Sequence, residues 1–251
     1  MINRDVFKLP ELIGDAYKNA YPFPNTYIDN FMDPWVLQKC REEMDRYPFW
    51  RQDKTSYVEH YQVEKYYTPD IVYDPNDVEI LAANAPTTKM VLDYMYSPEV
   101  INFVSELTGI PDLLPDDQWV GAGVHKIGAG GKLGVHADFN INFATGLYRR
   151  VNILIYMNEY WPEEWGGNLE LWDKTKNIYN DWVPREKSVE IAPLFNRAAI
   201  FNITDDAFHG HPHPLTCPPN QHRMSLALYY YTQDRPDYEK APQHPVIWYD
   251  T

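Results

Sequence analysis

His136 and Asp138 stand two residues apart within residues 121–158, a segment that reads as extended chain. Alternation along a strand puts an imidazole and a carboxylate at that spacing on one face, where both can reach one metal ion. A third ligand must come from elsewhere. The run Phe208, His209, Gly210, His211, Pro212, His213 offers three alternating imidazoles, each able to project on the same side of an extended chain. Pro212 and Pro214 disrupt the later positions, whereas His209 directly follows the strand-like residues 198–208, which favours His209. Two histidines and one carboxylate on one face leave coordination positions open, a donor set suited to non-haem Fe(II).

A second chemical pattern lies downstream. Arg223 and Ser225 face one way with Ala227, while Met224, Leu226 and Leu228 face the other. An arginine buried in so apolar a strand needs an anionic partner, and its planar fork matches a carboxylate. Around them, Arg150, Asn152 and Tyr156 share one face of their strand by strict alternation, so they are candidates to line the interior as substrate or supporting residues. Arg149 is a further candidate for the same role, set against its plainer reading as a solvated charge. His125 reads equally as a hydrogen-bonded structural histidine and as a substrate contact. Gly121, Gly123, Gly128, Gly130, Gly131 and Gly134 crowd the approach to His136 and allow tight turns. A phosphate-cradling loop is excluded, because it needs glycine where Lys126 stands and Ser or Thr where Leu133 stands.

These groups need a scaffold. Val151, Ile153 and Ile155 alternate with Asn152, Leu154 and Tyr156, and short apolar runs recur near 168–172, 189–192, 198–203 and 223–231, the period of half-buried strands. Upstream the signals are helical. Asp33 before Pro34 predicts a capped helix to about Tyr47, with Trp35, Val36, Cys40 and Met44 on its apolar face. Residues 86–96 predict another helix. Ser97, Pro98 and Glu99 open one carrying Val100, Ile101, Val104 and Leu107, ended by Gly109 and Pro111. Residues 1–30, broken by Pro22 and Pro24, read as irregular. Residues 50–84 hold Tyr57, His60, Tyr61, Tyr66, Tyr67 and Tyr73 with little periodicity, either a substrate-facing lid or an aromatic layer under a long loop. Residues 158–168 and 172–188 read as long loops. Helices first and strands later predict one mainly β domain, a sandwich or barrel with N-terminal helices packed outside. Its expected parts are helical support and lid over 1–118, a core over 119–235 and a C-terminal tail over 236–251.

Composition bounds the partners. With 22 Lys plus Arg against 36 Asp plus Glu, the formal charge of −14 argues against nucleic acid and anionic membrane. Cys40 and Cys217 are far apart without metal-type spacing, so they read as packing residues in a reducing compartment. No apolar run long enough for a signal peptide or a membrane span occurs, and the expected setting is cytoplasmic.

From about Tyr21 onward the chain resembles the Fe(II)/2-oxoglutarate-dependent oxygenases, in the branch similar to prolyl 4-hydroxylases. The resemblance is densest in GGKLGVHADFN, in RRVNILIYMNEYW with GGNLELWD, in FNR with AFHGHPHPLTCP, and in RMSLALYYYT. It implies a double-stranded β-helix, or jelly roll, with His136, Asp138 and His209 binding iron at one open end. Arg223 would pair with the distal carboxylate of 2-oxoglutarate, and Ser225 would hydrogen-bond it. The implied activity is O2-dependent hydroxylation of an unactivated C–H in a small molecule or amino-acid side chain, with succinate and CO2 as co-products. A prolyl hydroxylase acting on a protein or peptide is the alternative within the family, and a non-catalytic metal-binding or cupin-like protein the alternative outside it. The chain departs from the prolyl hydroxylase pattern at Ile127, where a co-substrate-binding tyrosine is usual, and at Arg223, where many carry lysine. Asp138 separates it from family halogenases, which lack the carboxylate ligand.

Overall fold

The computed structural model describes residues 1–52, 60–69 and 74–251, so Tyr57 and Tyr73 lie outside the described residues. Among these, ten strands join one antiparallel system. β1 (Asn25–Ile28), β2 (Gln62–Thr68), β3 (Gly123–Ala137), β4 (Tyr148–Tyr156), β5 (Leu169–Lys176), β6 (Trp182–Ile191), β7 (Ala198–Asn202), β8 (His209–His211) and β9 (Arg223–Thr232) are followed by β10 (Ile247–Tyr249). The order is β1-β7-β4-β9-β3-β8-β5-β6, with β2 and β10 also paired to β3. The whole is a nearly closed jelly-roll barrel.

β3 is the pivot. Its first residues, Gly123 to Ile127, pair with β9, and Leu133 and His136 pair with β8. The change of neighbour falls on the glycines between. One strand thus crosses from one wall of the roll to the other and delivers His136 at the far end.

The two faces of β4 and β9 have different work. Val151, Ile153, Ile155, Met224, Leu226 and Leu228 join the main apolar core with the helices, each fully buried. Burying such a side chain contributes roughly 1.5–3 kcal/mol. The alternate positions, Asn152, Tyr156, Arg223 and Ser225, are turned to the barrel interior.

Five helices cover the outer face among the described residues: α1 (Leu9–Lys18), α2 (Pro34–Arg46), α3 (Asp77–Asn84), α4 (Pro86–Met95) and α5 (Pro98–Thr108). The Asp33 carboxylate caps α2 by accepting from the Trp35 amide at 2.9 Å. α2 buries Leu37, Cys40 and Met44, whereas Trp35 is 71% exposed and does not belong to its apolar face. Gly109 ends α5 in the left-handed conformation. Both cysteines are buried free thiols.

Several segments differ from the sequence expectation. Residues 1–30 contain α1 and β1, the latter paired with β7. Residues 50–84 contain β2 and α3. The expected loop over 172–188 is mostly the β5–β6 hairpin, whose many polar residues hid its strand character. The expected tail carries β10, paired with β3 directly beside the histidine-aspartate pair.

Candidate metal centre and active-site cavity

His136 is the penultimate residue of β3, Asp138 follows the strand, and His209 opens β8 directly across from His136. All three are buried, and one ligand atom from each lies within 4.8 Å of the others. His136 Nε2 is 3.6 Å and His209 Nε2 3.5 Å from the Asp138 carboxylate. The histidine tautomers follow from their other nitrogens. His136 Nδ1 donates to the Gly134 carbonyl and His209 Nδ1 to the Ala207 carbonyl, both at 2.9 Å. Each Nε2 lone pair is therefore directed at the shared point, the orientation that metal-binding histidines take. Burial and the neighbouring His136 push His209 down to about 4, so it stays neutral and able to ligate. The donor set and its orientation fit a metal ion.

Asp138 is fixed from behind. Asn152 Nδ2 donates to its Oδ2 at 2.9 Å, and Arg149 Nη2 reaches the same oxygen at 2.9 Å. Arg149 Nε also donates to Asn152 Oδ1 at 3.0 Å, closing a triangle. Burial alone raises the Asp138 carboxyl, but Arg149 and then the histidines hold it well below the usual carboxylate range. Arg149 lies 3.4 Å over the Tyr229 ring, a cation-aromatic contact.

This corrects the strict alternation on β4. The register between β4 and β9 shifts between Arg149 and Val151. That bulge turns Arg149 inward beside Asn152 and sends Arg150 away. Arg150 instead pairs with Glu239 at 3.1 Å and donates to Thr232 at 3.3 Å. Two adjacent arginines exchanged roles because one extra residue entered the strand.

The second chemical centre is Arg223. Its Nε donates to the Gly167 carbonyl at 2.7 Å and its Nη2 to the Tyr156 hydroxyl at 3.2 Å. Among the described residues it has no carboxylate partner within an ion-pair distance. Gly167 has a φ of +78°, and a Cβ there would stand 2.6 Å from Leu215 and 3.0 Å from the Arg223 side chain. Glycine at 167 is thus required for the backbone to hold the guanidinium. Ser225 follows on the same face of β9 and is buried.

One cavity of about 380 Å³ joins the two centres and is lined by His136, Asp138, His209, Arg223, Ser225 and Asn152. A cation with neutral partners at one end and a metal-binding triad at the other fit a small keto dicarboxylate such as 2-oxoglutarate. His125 also lines this cavity, while its Nε2 is bonded to the Gly121 carbonyl at 2.8 Å. Burial, aided by Lys65, pushes His125 down to about 3, so it faces the cavity as a neutral group. Tyr156 supports Arg223 instead of standing beside the metal. Tyr67 and Trp248 complete the wall. Trp248 stacks on Tyr61 at 5.2 Å and lies 4.8 Å from the His136 ring. Trp248 is not among the sequence candidates, since a three-residue strand gives no signal for it; Arg149 is one, but a solvated charge is its plainer sequence reading because the bulge hides its inward turn.

Residues 122–231 match the family model of the 2OG-Fe(II) oxygenase superfamily. Prolyl 3,4-dihydroxylase OGFOD1 of Ostreococcus tauri is 24% identical over 195 residues, covering 76% of this chain and 35% of that protein. The chain therefore spans about a third of the curated relative's length. A prolyl hydroxylase from Trichoplax adhaerens, solved with a hypoxia-inducible-factor peptide, superposes with a TM-score of 0.56 at 16% identity, covering 91% of each chain. The Pseudomonas putida prolyl-4-hydroxylase gives 0.55 at 13% identity, over 91% of this chain and 100% of that one. HygX of Streptomyces hygroscopicus, with nickel, 2-oxoglutarate and hygromycin B bound, gives 0.52 at 11% identity, over 97% and 96%. The jelly roll, the His136, Asp138 and His209 cluster and the family-model match over residues 122–231 together make the core of this chain similar to the 2OG-Fe(II) oxygenase superfamily.

Proposed function

We propose that the chain is an Fe(II)- and 2-oxoglutarate-dependent hydroxylase whose substrate is a prolyl residue of a peptide or protein. The observation that carries the reaction class is the pairing, in one cavity, of the His136, Asp138 and His209 triad with an arginine that has only neutral partners among the described residues. The prolyl substrate is supported by the likeness to OGFOD1 and to the prolyl hydroxylases above.

His136, Asp138 and His209 would hold the iron and leave its remaining positions to ligands. Fe(II) with 2-oxoglutarate and O2 supplies oxidative decarboxylation, giving succinate and CO2 and the oxidising power to hydroxylate an unactivated C–H. Arg223 would receive the distal carboxylate, with Ser225 beside it, and so orient the co-substrate. Arg149 and Asn152 keep Asp138 ionised and aimed. Trp248 and Tyr67 wall the cavity, with Tyr61 stacked on Trp248.

HygX, solved with an aminoglycoside bound, supports a second reading in which the substrate is a small molecule. Fe(II)-loaded chain given 2-oxoglutarate, O2 and either proline-containing peptides or small amines and amino acids separates the two. Succinate release matched one for one by a gain of one oxygen on a peptide is expected. Matched turnover with small molecules alone would replace the prolyl reading, and no succinate with any substrate would remove the catalytic one.

A further inference from the structure

One buried polar side chain of the cavity has no work in the account above. His211 follows His209 by two residues, so both imidazoles stand on the interior face of β8, their backbones about 7 Å apart along the strand. It lines the cavity with Arg223 and with Leu133, the residue it opposes on β3. It is 3% exposed, and neither Nδ1 nor Nε2 has a hydrogen-bond partner among the described residues.

A neutral imidazole carries one donor and one acceptor, and leaving both dry is costly to the fold. Leucine would fill the same place without that cost. The strand cannot easily shift to find the ring a partner. A Cβ at Gly210 would meet the Gly134 carbonyl at 2.6 Å, so β8 lies tight against β3 at this point. An imidazole N–H and a guanidinium lining one cavity, with no carboxylate among the described residues paired to that guanidinium, suit one kind of guest, an anion with oxygens to share between them.

We propose that His211 donates a hydrogen bond to the same carboxylate that Arg223 receives, the one farthest from the metal in bound 2-oxoglutarate. This rests on the co-substrate reading above. It makes His211 a co-substrate-binding residue, distinct from His209 although both belong to the His209, Gly210, His211 run.

The test is calorimetric titration of the Fe(II)-loaded chain without oxygen, using 2-oxoglutarate and 2-oxopentanoate, which keeps the keto-acid end and lacks the distal carboxylate. In His211→Leu the affinity for 2-oxoglutarate falls about tenfold or more, the scale of a hydrogen bond to a charged group. Affinity for 2-oxopentanoate and iron content stay as in the unaltered chain. The melting point without 2-oxoglutarate does not fall, because an unpartnered polar group has been removed. His211→Asn, which keeps an N–H donor, recovers part of the loss, and His211→Phe serves if the leucine variant does not fold. Unchanged 2-oxoglutarate affinity in His211→Leu overturns the proposal, and so does an equal loss for both acids. If the unaltered chain binds neither acid, the co-substrate reading itself fails, an outcome separate from any ratio between variants.

Discussion

Arg149 and Arg223 lie on the neighbouring strands β4 and β9, are both buried, and both face the same cavity, yet the fold uses them in opposite ways. Arg149 has its anion within the protein, the Asp138 carboxylate at 2.9 Å. Burial weighs against its charge, and Asp138 more than restores it, leaving the guanidinium more basic than usual. Arg223 has a carbonyl and a phenol hydroxyl. Burial leaves it less basic than usual, with only Tyr156 acting against that. Both remain cations, since arginine does not deprotonate in proteins. One charge is therefore neutralised inside the protein, and the other has no anion among the described residues. A buried arginine is informative about ligands only once its internal partners have been counted.

Substitutions separate the two roles. The largest expected effect is at the triad itself. Asp138→Ala removes a ligand and leaves Arg149 without its anion. Iron content and succinate formation should fall beyond the roughly 10–100-fold typical of losing a group one step behind a metal. Arg149→Met should cost about 3–5 kcal/mol, because Asp138 is left as a buried, unpaired charge. At 2–4 °C per kcal/mol for a chain of this size, that is roughly a 10 °C drop in the melting temperature of the metal-free protein. Added Fe(II) should recover part of it, since the metal supplies positive charge to the same carboxylate.

Arg223→Met should behave differently. Iron content stays near that of the unaltered chain, the melting temperature moves by less than half the Arg149→Met shift, and 2-oxoglutarate affinity falls on the order of 100-fold, as for a truncated charged pair. Equal melting-temperature losses in the two variants would break the distinction between a neutralised charge and one with no anion among the described residues. The smallest effect belongs to Arg150→Ala, which loses a partly exposed pair with Glu239. It should cost about 1 kcal/mol or less and leave iron and 2-oxoglutarate binding unchanged. A large loss of binding there would restore strict alternation on β4.

The metal-binding cluster was legible because the chemistry and the period agree. Histidine and aspartate two apart in extended chain share a face, which holds here although Asp138 falls just past the end of β3, and His209 was the one nearby imidazole preceded by a clean strand. Arg223 was legible for the same reason, its strand being apolar at every alternate position. Arg149 was not, because a bulge is a local departure from period two and nothing in the run of residues around 149–151 marks it. β10 and β2 escaped for another reason. Apart from the buried Thr68, their residues are half-buried at most and of mixed polarity, so their strand identity comes from the edges of β3 they join. Trp35 failed in the opposite sense. Its size suggested the core, but it stands in the first turn of α2, on the side away from Leu37, Cys40 and Met44.

The central claim, that one cavity holds iron at one end and a waiting cation for 2-oxoglutarate at the other, is tested most directly by an anaerobic titration. Metal-free protein receives Fe(II) and then 2-oxoglutarate while the weak visible charge-transfer absorption of the chelate is followed, with Arg149→Met and Arg223→Met alongside. The account predicts a band in the unaltered chain that needs both components. It also predicts that Arg223→Met needs far more 2-oxoglutarate to reach the same band, while Arg149→Met is limited by how much iron it retains. Bound iron with no band at any 2-oxoglutarate concentration, or an unshifted titration in Arg223→Met, would contradict it.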